Sequence, residues 1–213
     1  MTYNQYKVSR DMAWDILIDH TITTLPVHIA PLMEELGITL QTFSEAAPVL
    51  ETLGVADRTQ GRDAYTVRIK NGALVCYNDA RPMRRIRFTL AHELGHLCLG
   101  HITPASGRED VLLHLVSANP DNEAQADAFA ARLLSPACVL WGLGLHTAQE
   151  IAAVCDISIT AAQVRERRMA VLYQREAEWL RAKGYSCFCS SPKERQLYEQ
   201  FAPYIRQWAA RVS

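Results

Sequence analysis

His92, Glu93 and His96, in the stretch FTLAHELGHLCLGH at residues 88–101, combine two imidazoles and a carboxylate at the spacing HExxH, with a further histidine at His101. Four residues along an α-helix turn about 400° and rise roughly 6 Å, so the two rings leave one face a turn apart and can grip one ion. Glu93 lies about 100° round, beside that face, where a carboxylate reaches a water on the ion without occupying the ion. Two imidazoles and a carboxylate suit Zn2+ with an open fourth position. Zinc lowers the pKa of its water from about 16 to near 7, and Glu93 would take the proton as the hydroxide attacks a peptide carbonyl.

The third ligand must come from elsewhere. A metzincin carries it ten residues after the first histidine, which here is Ile102; His101 is one residue short, and Leu99 stands where that pattern needs glycine. The alternative is a glutamate on a separate helix, with a polar residue one turn later to hold a ligand histidine from behind. Glu123 and Asp127 have that spacing, near a helix start whose dipole favours an ionised carboxylate. Asp121 is the rival ligand, but the residue four positions on is Gln125 and not an acid. His101 follows Gly100 and leaves the helix near the cleft, where it is a candidate for stabilising an oxyanion or for a local hydrogen bond. Tyr77 is a further oxyanion candidate, and His114, inside VLLHLV, reads as packing.

The elements that would hold these residues are legible from patterning. Residues 84–99 carry Ile86, Leu90, Leu94 and Leu97 at helical spacing. Asn119 as cap and Pro120 as first residue announce a second helix that ends at Ser135-Pro136. Residues 64–78 alternate around Asn71-Gly72, the dipeptide of a two-residue hairpin turn, and an edge strand there would pair with an extended substrate. Helices are expected over 11–19, in PVHIAPLMEELG up to Gly37, over 147–155 and 160–182, and from Ser191-Pro192 onward. The class is α+β, mostly helical, with a small sheet containing the hairpin.

At this point the residues resemble a known family. RIRFTLAHELGHLCLGH followed by NEAQADAFAARLLSP is similar to the ImmA/IrrE metallo-endopeptidases, over roughly residues 10–172. The resemblance implies a minimal zincin-like fold, Zn2+ as cofactor, and cytoplasmic cleavage of a helix-turn-helix transcriptional repressor of a prophage or mobile element. It places His92, His96 and Glu123 as metal ligands, Glu93 as general base, and Asp127 behind a ligand histidine where the family commonly has Asn. Gln125 stands where Glu is frequent and Ser135 where Met is frequent; neither is a proposed ligand. The expected organisation is a zinc peptidase domain over 1–146, a helix-turn-helix-like segment over 147–183 packed on it, and a C-terminal helical extension over 184–213.

Composition agrees with a globular enzyme. Apolar residues make up 49% of the 213 and charged residues 21%, far from the composition of a disordered chain. Acidic residues interrupt the apolar runs of the first 20 residues, leaving neither a signal-peptide core nor a membrane span, so a cytoplasmic location is expected. Six dispersed cysteines do not form a disulfide framework, and Cys187 and Cys189 lack a second pair with which to hold a metal. Residues 161–213 hold 10 basic and 5 acidic side chains, against 12 and 18 before them. That asymmetry, with the segment at 150–169, raises direct nucleic-acid binding as a second reading. The absence of a turn glycine and the modest basic stretch Arg165–Arg168 favour two packed helices instead.

Overall fold

The computed structural model describes residues 2–52, 61–69, 72–102, 111–114 and 119–212. The protein is α+β and mostly helical, and it divides into two compact units, residues 1–9 with 28–130 and residues 10–27 with 131–213. The division passes through the first helix, α1 (Tyr3–Asp19), and near the end of a later one, α5 (Pro120–Leu134). Among the described residues no helix is long and apolar enough to cross a membrane.

The first unit is built on four strands, β1 (Ile38–Thr42), β2 (Ala64–Ile69), β3 (Gly72–Tyr77) and β4 (Val111–His114), in the order β1-β3-β2-β4. β2 and β3 pair antiparallel from Ala64 opposite Tyr77 to Ile69 opposite Gly72, which is the expected hairpin; residues 70 and 71 lie outside those described. β1 joins β3 in parallel and β4 joins β2 antiparallel. Both hairpin strands are therefore interior, and the expectation that the hairpin offers an edge is corrected. Among the described residues the edges belong to β1 and β4, whose five and four residues are too short for alternation to announce them.

Side chains alternate across a strand, and the buried neighbours Tyr65 and Thr66 of β2 and Val75 and Cys76 of β3 show both faces covered. Tyr65 stacks on Phe43, ring centroids 5.5 Å apart, at the start of α3 (Phe43–Thr52). Thr66, its neighbour, turns the other way, toward α4 (Met83–Cys98). Ile86, Leu90 and Leu94 give α4 a buried stripe at four-residue spacing. α2 (Ile29–Glu35) packs on β1 and α4, and it stops at Gly37, whose φ of +74° is open to glycine at no steric cost. Pro31 falls in its first turn, where a missing N–H breaks no helical bond.

The second unit is helical. It contains α6 (Ala137–Gly142), α7 (Ala148–Cys155), α8 (Ile159–Lys183) and α9 (Pro192–Val212). Thr147 and Glu150 close a capping box on α7, and Ser158 and Ser191 accept hydrogen bonds from the first turns of α8 and α9. Between α7 and α8, Asp156 takes the left-handed conformation, φ 50°, that a turn glycine usually supplies. The charged stretch after it is partly consumed internally. Buried Arg165 donates to the Ser135 carbonyl, and Glu166 accepts from the Ala148 amide at 3.0 Å.

Candidate metal centre

α4 and α5 bring the site residues together, all within the first unit. His92 Nε2 and His96 Nε2 stand 2.9 Å apart. Glu123 reaches both, with Oε2 at 3.2 Å from His92 and Oε1 at 3.4 Å from His96. Three atoms bound to one tetrahedral zinc at about 2.05 Å would be roughly 3.3 Å apart, so this donor set has the size and chemistry that an ion of that kind requires. His92, His96 and Glu123 form the cluster of possible ligands among the described residues. Asp121 does not join it; its carboxylate accepts from Gln5 Nε2 at 3.4 Å.

Each histidine is held from behind. His92 Nδ1 lies 2.8 Å from Asp127 Oδ1, leaving Nε2 turned toward Glu123. His96, fully buried, meets His101 through Nδ1 at 3.1 Å, its Nε2 again on the Glu123 side. Local backbone geometry explains His101. α4 ends in a Schellman turn, with Gly100 at φ +70° donating to the Leu97 carbonyl and the His101 amide donating to the His96 carbonyl at 3.0 Å. The reversal folds His101 back against the residue five before it. It stands behind a candidate ligand. The His114 side chain lies outside the described residues.

The electrostatics favour a cation. Burial pulls the His92 imidazole pKa down. The Asp127 hydrogen bond and the charges of Glu93, Asp127 and Glu123 outweigh that and leave it raised above the ordinary value. The same field that favours a proton favours a metal ion, which competes with the proton for the ring nitrogen.

Two residues that patterning did not single out shape the site. Gly95, one residue before His96, faces α5: a β-carbon there would stand 3.2 Å from Ala126 Cα and 3.3 Å from its carbonyl oxygen. The missing side chain lets α5 approach closely enough for Glu123 to reach the histidines. A glycine inside an otherwise regular helix was the signal available. Thr66 Oγ1 donates to Glu93 Oε2 at 2.6 Å, both groups buried. Its signal was weaker, a single threonine in the strand β2.

A family model for the IrrE N-terminal-like domain, a peptidase family, matches residues 33–165. The chain belongs to the ImmA/IrrE family of metallopeptidases. No curated protein matches it. For an ImmA/IrrE metallopeptidase the matched span includes α4, α5 and the whole cluster described above, so the activity class and the candidate metal site coincide.

Proposed function

We propose that the protein is a zinc-dependent endopeptidase that cuts a helix-turn-helix transcriptional repressor encoded by a prophage or mobile element, in the cytoplasm. The observation that carries the reading is the convergence of His92, His96 and Glu123, with Glu93 one position from the first ligand. In this reading those three residues hold Zn2+, and Asp127 and His101 orient the two imidazoles. When bound, zinc supplies Lewis acidity toward a peptide carbonyl and toward water. Glu93 accepts the proton of the attacking water and delivers it to the leaving amine. The β4 edge, next to the strand that carries Thr66, is where an extended substrate would add by backbone pairing. Catalysis resides in the first unit, and the α7–α8 pair is structural, since Arg165 and Glu166 are engaged within their own unit.

The test is to identify a helix-turn-helix repressor gene beside this one and to incubate its product with the purified protein, with and without chelator. Cleavage is expected with one zinc per chain, lost on chelation and reduced by roughly 10²–10⁴-fold in Glu93→Gln. Zinc-free protein, or undiminished cleavage by Glu93→Gln, refutes the reading. Regulation that persists in Glu93→Gln would establish instead a regulator that binds the repressor or DNA without cutting.

A further inference from the structure

We propose that Thr66 is a positioning residue for Glu93, fixing the aim of the carboxylate that moves the proton; this rests on the peptidase reading above. Thr66 is fully buried in β2, and its hydroxyl donates to Glu93 Oε2 at 2.6 Å. That is at the short end of the range for O–H···O bonds, about 2.5–3.0 Å. Glu93 is itself buried, so its carboxylate needs donors to offset the loss of water.

The donor sits on a rigid support. Thr66 lies opposite Val75 of β3 and His114 of β4, so its strand is paired on both sides and its backbone cannot follow a wandering side chain. A β-branched residue is also stiff about χ1, which restricts where the hydroxyl points. A glutamate on a helix has three rotatable side-chain bonds; tethering one oxygen sets the plane of the carboxylate and hence the direction of the other. The tether joins α4 to β2, independently of the bonds that orient His92 and His96. It therefore acts on proton transfer and not on holding the metal.

Two substitutions separate the hydroxyl from its shape. Thr66→Val keeps the branched outline and removes the donor, whereas Thr66→Ser keeps the donor. With a peptide library from a digested proteome, read by mass spectrometry, a cleaved peptide serves as the kinetic substrate. Thr66→Val is expected to lower kcat by about 10- to 100-fold, the usual effect of losing an orienting partner. KM stays within about twofold and zinc stoichiometry at the wild-type value, because neither substrate binding nor a ligand is altered. Thr66→Ser recovers most of the loss. A second readout needs no catalysis: in a denaturation cycle, Thr66→Val destabilises the wild type more than it destabilises Glu93→Ala. Additive stabilities overturn the contact. Wild-type cleavage with unchanged kcat in Thr66→Val overturns the positioning role alone. Coupled stabilities in a protein that cleaves neither the repressor nor any library peptide overturn the peptidase reading and the positioning role together, leaving a structural hydrogen bond.

Discussion

Replacing Gly95 with alanine tests whether the close approach of α5 to α4 builds the candidate metal centre. The added β-carbon would stand 3.1 Å from Phe129 Cδ1, 3.2 Å from Ala126 Cα and 3.3 Å from the Ala126 carbonyl oxygen. Carbon atoms in good contact sit about 3.5–4.0 Å apart, so the Ala126 backbone must retreat by roughly 0.4 Å. The Phe129 ring can turn aside, but the Ala126 backbone cannot move without carrying Glu123 and Asp127, three residues before it and one after. Alanine is favoured over glycine inside a helix by about 1 kcal/mol. Overpacking a close contact costs about 1–3 kcal/mol. The two terms leave a net destabilisation between about 0 and 2 kcal/mol in metal-free protein. Zinc binding is the sharper readout. A shift of about 0.4 Å exceeds the roughly 0.2 Å tolerance of ligand distances, and affinity is expected to fall at least about tenfold. Urea denaturation of the metal-free protein and competition with a chromophoric chelator measure the two quantities. A Gly95→Ala protein that is more stable by the helix-propensity term alone, and that binds zinc as the wild type does, refutes the close-packing account.

The remaining predictions concern the supports of the site and the second unit. Asp127→Ala and His101→Phe each remove the partner of a candidate ligand ring and should weaken zinc binding about 10- to 100-fold, measured by the same competition; wild-type affinity in both would show that the rings are held by packing alone. Glu123→Gln should lower zinc affinity more than Asp121→Asn does, because only Glu123 converges with the histidines; the reverse order would make Asp121 the ligand. In the second unit, burial raises the Glu176 carboxyl pKa, but hydrogen bonds from Ser186, Cys187 and the Cys187 and Phe188 amides, the Cys187 amide at 2.7 Å, outweigh it and hold it below the ordinary value. A depressed folded-state pKa stabilises the fold fully above the unfolded value, about 4.3, and the contribution is lost as pH falls through the folded value. The Tm gap between wild type and Glu176→Gln should therefore be widest near neutral pH and close in acid; a gap independent of pH would rule out the carboxylate as its source.

Much of this protein was legible before any coordinates. Periodicity and end signals located α2, α4, α5, α7, α8 and α9 to within a few residues, because helix capping and apolar spacing are local properties. Register alone removed His101 from the expected metal-ligand set and sent the search to a carboxylate on another helix, since spacing along a helix fixes which side chains share a face. The short elements escaped: β1, β4, α3 and α6 span four to ten residues each and acquire their identity from the sheet and helices they pack on. Three matters needed the tertiary structure. The hairpin became interior because β1 and β4 pair on either side of it, a question of which chain segments meet. Glu123, and not Asp121, lies beside the two histidines because both start the same helix and only its packing against Gly95 decides which carboxylate faces them. Thr66 emerged as the partner of Glu93 across 27 residues of chain, a contact between a strand and a helix that no local pattern encodes. Local spacing thus determined which residues could do the chemistry, and long-range packing decided what holds them in place.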